Sequence, residues 1–218
     1  TPHGNWVYLC TTSSTIFIDT QVDNGYWYYY TVRAVNEAGY SDFNKNGSII
    51  QYLKAPKFKA PTNDANGITL SWNKVQGATA YYIYKKVGNG NYQYYCRTTS
   101  TSYTDKKVYN GLTYSYRIKA CRNKTVSGFY FDGVTIKRLN APTLKTPLNT
   151  DSGIKIQWNK LNGAQGYFIY RKEGKYWKYL GKTTATTFTD TNASAGKTYI
   201  YTVKAYSSEG YHSAYNTS

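Results

Sequence analysis

Ile68-Thr69-Leu70-Ser71-Trp72-Asn73-Lys74 recurs as Ile154-Lys155-Ile156-Gln157-Trp158-Asn159-Lys160, 86 residues further on. Self-similarity at such a period marks a chain built from repeated units. The likeness continues outward from the tryptophans. Gly77-Ala78 matches Gly163-Ala164, and Tyr81-Tyr82-Ile83-Tyr84-Lys85-Lys86 matches Tyr167-Phe168-Ile169-Tyr170-Arg171-Lys172. One residue is then lost in a turn. Asp105 meets Asp190 at an offset of 85, and Gly111-Leu112-Thr113-Tyr114-Ser115-Tyr116 meets Gly196-Lys197-Thr198-Tyr199-Ile200-Tyr201. Half of a third copy stands first: Asp19 matches Asp105, and Gly25 to Ala34 matches Gly111 to Ala120, with no counterpart of the Trp72 segment. Three units are expected: 1–53, the later half of a repeat; 54–138, a complete repeat; and 139–218, a repeat short of its last strand. Both ends fall inside a repeat, so a piece of a longer array is expected.

Within a repeat, apolar residues alternate with polar ones. Ile68, Leu70 and Trp72 share one face; Tyr114, Tyr116, Ile118 and Ala120 share another. Asn66-Gly67, Gly88-Asn89-Gly90 and Asn110-Gly111 punctuate these runs. Period-two strands about every 10 residues, separated by turn residues, predict an all-β sandwich with half-buried antiparallel strands. No segment has a helical period, and no apolar run is long enough to span a bilayer. No signal peptide is readable at Thr1.

The early-strand tryptophan, the Tyr-x-Ile-Tyr strand and Gly-x-x-Tyr-x-Tyr-x-Val/Ile-x-Ala together resemble the fibronectin type III domain. The resemblance covers nearly the whole chain. It implies tandem immunoglobulin-like β-sandwiches, with Tyr28, Tyr114 and Tyr199 at the tyrosine-corner position, their hydroxyls bonding back to nearby backbone. The Lys-, Asn- and Tyr-rich style is similar to modules strung along large exported proteins of Gram-positive bacteria. That implies an extracellular, secreted or surface-attached setting, with the flanking domains of the same polypeptide as the first partners.

The formal net charge is +16, distributed as −2 over 1–53, +12 over 54–138 and +6 over 139–218. A strongly basic surface suits an anionic partner such as a wall polymer or acidic glycan; the competing expectation is a soluble lysine-rich surface lying in or near an anionic cell wall. Nucleic acid is not expected, because the lysines are scattered and no nucleic-acid motif is present. Three cysteines are too few for a disulfide framework. Cys10 and Cys96 hold the same repeat position, and the resembled fold puts a strand between Cys96 and Cys121, beyond disulfide reach. Free, partly buried thiols are expected.

No catalytic, cofactor-binding or metal-binding set is readable. His3 and His212 have no ligand spacing, and no Cys-x-x-Cys or phosphate-cradling loop exists. Asp19, Asp105 and Asp190 recur at one place before a loop, the pattern of a turn residue bonding local N–H groups. No other acids recur as a pair for hydrolysis.

The 27 tyrosines split into two sets. Alternation assigns Tyr81, Tyr114, Tyr116, Tyr167, Tyr199 and Tyr201 to the core. Tyr82, Tyr84, Phe168 and Tyr170 should face outward. In the resembled fold Arg117 and Lys119 neighbour the first pair, and Lys204 and Tyr206 the second. These eight residues form the candidate binding face, for a host protein, glycan or anionic wall polymer. The competing expectation is sheet stabilisation by cross-strand and cation–π pairs. The expected function is non-catalytic: a spacer presenting neighbouring modules, semi-rigid through the short linkers at Leu53-Lys54-Ala55-Pro56 and Leu139-Asn140-Ala141-Pro142. An adhesin-type binding array is the alternative. The apolar face of 1–53 lacks its Trp strand, so completion by upstream residues or another chain is expected.

Overall fold

The structure is a computed structural model and describes residues 5–44, 46–131 and 133–216. Among these the strands of the first segment are β1 (Trp27–Tyr30), β2 (Val35–Asn36), β3 (Gly39–Tyr40) and β4 (Ser48–Gln51). The middle segment supplies β5 (Thr62–Asn63), β6 (Ile68–Ser71), β7 (Ala80–Val87), β8 (Gln93–Thr98), β9 (Ser102–Asp105), β10 (Thr113–Arg122), β11 (Thr125–Val126) and β12 (Val134–Lys137). The last supplies β13 (Leu148–Thr150), β14 (Gly153–Gln157), β15 (Gly166–Glu173), β16 (Tyr176–Thr183), β17 (Thr187–Asp190) and β18 (Tyr201–Tyr206). No helix occurs among the described residues, and none is long and apolar enough to cross a membrane.

In the middle segment one sheet runs β5-β6-β9, and the other runs β11-β10-β7-β8 with β12 also on β10. All pairings are antiparallel. Alternation decides which side chains meet between the sheets. Ile68 and Leu70 of β6, with Trp72 just beyond it, pack against Tyr81, Ile83, Tyr114, Tyr116 and Ile118 from β7 and β10. Trp72 lies edge-on to Tyr81 (5.3 Å) and to Phe58 (5.8 Å). Such geometry adds about 0.5–1.5 kcal/mol per pair beyond the area buried. The last segment repeats the plan with sheets β13-β14-β17 and β16-β15-β18, and with Trp158 edge-on to Tyr167 at 5.3 Å. The fold is an all-β sandwich of the immunoglobulin-like type.

Residues 5–53 differ. Only β1 pairs with β4, and β2 with β3; residues 5–26 form no strand although Tyr8-Leu9-Cys10 aligns with β8. The reason is local: β8 is held by β7 and β9 by β6, and this segment holds no counterpart of β6 or β7. An isolated pair of strands cannot bury an apolar face. Trp6, Val7, Tyr8, Ile16 and Ile18 are accordingly exposed, and Val32 is 77% exposed where its counterpart Ile118 is 2%.

Tyr81, Tyr114, Tyr116, Tyr167 and Tyr201 are buried as the alternation requires. Tyr199 is half-buried: β18 starts only at Tyr201, and among the described residues no strand equivalent to β12 pairs with it. All three corner tyrosines accept a backbone N–H five residues upstream: Asp23 to Tyr28 (2.6 Å), Tyr109 to Tyr114 (2.8 Å) and Ser194 to Tyr199 (3.0 Å). That donation, first among the causes, pulls the Tyr199 hydroxyl below its ordinary pKa.

Candidate functional site

The outward face of β7 and β10 assembles the first four candidate residues. Tyr82 lies directly across from Lys119, and Tyr84 across from Arg117. Phe129, from the segment after β11, caps them. Its ring is edge-on to Tyr84 at 5.1 Å, 4.4 Å from the Lys119 ammonium and 5.6 Å from the Arg117 guanidinium. Tyr92 covers Arg117 from the other side at 4.4 Å. Tyr94 on β8 reaches both Tyr82 (6.0 Å) and Tyr84 (5.9 Å). All four candidates are therefore half-buried, while Tyr94 is 57% exposed.

The last segment builds a longer aromatic ridge. Phe168 faces Lys204 across the ladder, whereas Tyr170 faces the buried Thr202. Tyr206 stacks on Phe168 at 4.6 Å, and His212 lies edge-on to the same ring at 5.4 Å. Tyr215 ties the ridge together. It contacts Tyr170 (5.2 Å), stacks with Trp177 (6.1 Å) and sits 4.6 Å from the Lys204 ammonium. Burial lowers the Lys204 pKa; burial and the Lys204 charge lower that of His212. In both segments the cations lie under rings rather than in solvent, which favours cross-strand stabilisation at about 0.5–2 kcal/mol per cation–π contact. Tyr94 and Tyr179 are repeat partners paired to Tyr84 and Tyr170, so the period could have found them. Phe129 and Tyr215 are likewise 86 residues apart, and Tyr92 and Trp177 85, so the same period reaches these caps as well.

The recurring aspartates do more than shape a turn. Asp105, fully buried, accepts Lys107 N–H (2.9 Å), the Tyr95 and Tyr116 hydroxyls (2.7 Å each) and the Lys85 ammonium (2.7 Å). Asp190 accepts Asn192 N–H (3.1 Å), the Tyr201 hydroxyl (2.9 Å) and the Arg171 guanidinium (2.8 Å). Among the described residues Asp19 accepts Gln21 N–H and the Tyr30 hydroxyl, both at 2.9 Å. Burial, reinforced by the bonded carboxylate, drives Tyr95, Tyr116 and Tyr201 far above the ordinary phenol pKa and lifts Tyr30 to about 12. The signal was present in the sequence: each aspartate precedes its tyrosine by 11 residues.

A second recurring constellation lies where segments meet. The Asn24 side chain donates to Gln76 O (2.8 Å) and accepts Lys54 N–H (2.6 Å). The Asn110 side chain donates to Asn162 O (2.8 Å) and accepts Asn140 N–H (2.8 Å). One amide thus joins its own loop, the linker and the next segment, twice over. The glycine after each asparagine faces a glycine of the next segment. A Cβ on Gly77 would stand 3.0 Å from Gly25 Cα, and one on Gly163 would stand 2.9 Å from Gly111 Cα, both at a φ of 82°. The second meeting point also carries Lys137–Glu209 (2.8 Å) and Asn63 Nδ2 bonded to Lys137 O and His212 O.

Cys121 on β10 and Cys96 on β8 are separated by β7, and burial, first among the causes, pushes the Cys96 thiol up. Cys10 is exposed rather than partly buried, because residues 5–26 have no sheet to join. His3 lies outside the described residues. No cluster of three metal-ligating side chains occurs among the described residues.

No family model matches the chain. Exoglucanase B of Cellulomonas fimi is 25% identical over 92% of this chain and 20% of its own length. Amylopullulanase of Thermoanaerobacterium saccharolyticum is 37% identical over 31% of the chain and 6% of its own length. Poly(3-hydroxybutyrate) depolymerase of Ralstonia pickettii is 39% identical over 30% and 13%. Among solved structures, the chicken CNTN1 FN1-FN3 domains cover 89% of this chain and 74% of theirs, at 16% identity and a TM-score of 0.36. The fold assignment rests on the sheet topology rather than on that score. The chain spans a fifth or less of the length of the curated relatives it matches.

Proposed function

We propose that this chain is a non-catalytic spacer of a larger extracellular bacterial protein, of Gram-positive type, with units at 1–53, 54–138 and 139–218. Its work is mechanical: it holds neighbouring modules apart at a fixed relative orientation. The observation that carries this reading is the asparagine clamp, present with the same atoms at both meeting points. Each hydrogen bond contributes about 0.5–1.5 kcal/mol, and the glycine contact leaves little space for a hinge. The small share of each polymer-degrading relative that the chain matches supports a non-catalytic role, and their names support an extracellular setting. The adhesin reading through Tyr82, Tyr84, Arg117, Lys119, Phe168, Tyr170, Lys204 and Tyr206 is weaker, since those residues are half-buried and their cations are already covered. Small-angle scattering of the whole chain is the test. One elongated particle with a single maximum dimension supports the spacer, and a broad ensemble of hinged shapes rejects it.

A further inference from the structure

Two open clefts flank the meeting points, and they share a chemistry. The first, about 420 Å³, is lined by Lys54, Lys57, Lys74, Asn24, Asn73 and Tyr130 among others. The second, about 500 Å³, is lined by Lys106, Arg138, Asn66, Asn140 and Tyr215 among others. Among the described residues no acid lines either cleft. Each offers lysine and side-chain amides; the first adds the Tyr130 ring, whereas the Tyr215 ring of the second is already stacked on Trp177 and covered by Lys204. In the first cleft the Lys57 ammonium lies 5.7 Å from the Tyr130 ring. In the second, Arg138 is 5% exposed and its guanidinium is anchored on Asp64 O at 2.8 Å, while its buried Nε has no protein partner.

We propose that these clefts bind a linear acidic polysaccharide, a chain of sugar units carrying regularly spaced carboxylates. Three features select it. Lysines without acidic neighbours attract an anion and are left unneutralised without one. Asparagine amides match sugar hydroxyls, and the Tyr130 ring of the first cleft offers a flat face to a sugar ring. Two such clefts on one chain engage successive stretches of one polymer, so modest single-cleft affinities multiply. This also gives the +12 of residues 54–138 a place to act, since all cations named in the two clefts belong to that segment. The inference rests on the fixed meeting points proposed above, because each cleft draws walls from two segments.

The experiment uses the whole chain and polygalacturonate as probe, with neutral dextran and single-stranded DNA as comparisons, read by affinity electrophoresis. Saturable binding to polygalacturonate, absent for dextran and weakening as salt rises, is expected. The triple variant Lys54→Gln, Lys57→Gln, Lys74→Gln should weaken binding about tenfold or more. Lys175→Gln, Lys182→Gln, Lys197→Gln removes the same charge from exposed sites elsewhere and should change it about twofold or less. Tyr130→Ala keeps the charge and should still lose severalfold. Equal loss in both triple variants, an unchanged Tyr130→Ala variant, single-stranded DNA binding as tightly as polygalacturonate, or no binding at all would each overturn the proposal. Scattering of the Lys54, Lys57, Lys74 variant separates the two readings: an unchanged shape together with lost binding assigns the loss to the cleft and not to the spacer.

Discussion

Residues 5–53 and 54–138 share a sequence plan and differ in outcome. Tyr116 is fully buried and its hydroxyl ends on a buried carboxylate; Tyr30, its counterpart, makes the same bond to Asp19 on a half-open surface. Ile118 is buried where Val32 is bare. The difference is the absence of the tryptophan strand and of the Tyr81 strand. Local pattern therefore sets which side chains point inward, but only the facing sheet turns that pattern into burial.

Substitutions at matched positions sharpen this contrast. Ile118→Ala should destabilise residues 54–138 by about 2–5 kcal/mol, and Val32→Ala should change stability by about 0.5 kcal/mol or less. Denaturant unfolding followed by tryptophan fluorescence reads both, and equal losses would break the comparison. The next effect in size is at the aspartates. Asp105→Ala strands the Lys85 ammonium and two hydroxyls and should cost about 3–5 kcal/mol. Asp19→Ala loses bonds open to water and should cost about 1 kcal/mol.

Alkaline titration distinguishes the copies again. A tyrosine whose pKa is raised on folding supports the fold fully below pH 10, the unfolded value, and that support is lost as pH climbs through the folded value. Tyr30 should ionise near pH 12. Tyr95 and Tyr116, buried deeper, should stay protonated until the middle segment unfolds, so phenolate absorbance should rise in two stages. A single stage near pH 10 would contradict the burial contrast. The smallest effect is expected at Lys137–Glu209. Its partner holds Glu209 at about 2, so the contact persists down to that pH, yet Glu209 is exposed, and Glu209→Gln should leave the melting temperature nearly unchanged.

Much of this was legible in the residues. The offset between Trp72 and Trp158 gave the period and alternation gave the strands, while the cross-strand neighbours of Tyr82 and Tyr84 followed from the strand order that the fibronectin type III resemblance implies. The aspartate hubs were half legible: the turn role was clear, while the partnership with Lys85 and Arg171 needs β7 and β9 brought together in space. The caps over the aromatic face were half legible: Phe129 and Tyr215 recur at the same offset of 86 residues, but both follow the last turn outside any strand, so alternation does not say which way their rings point. The clamps were hidden because Asn110-Gly111 reads first as a turn, and a turn does not announce what it touches.

The central claim is that the Asn110 clamp fixes residues 54–138 against 139–218. Spin labels at the exposed Lys124 and Lys182 sites, with the native cysteines replaced by serine, would give the distance distribution between those segments by electron–electron dipolar spectroscopy. One narrow distance is predicted for the wild-type clamp, broadening in Asn110→Ala. A broad distribution with Asn110 in place, or a narrow one unchanged by its loss, would contradict the account.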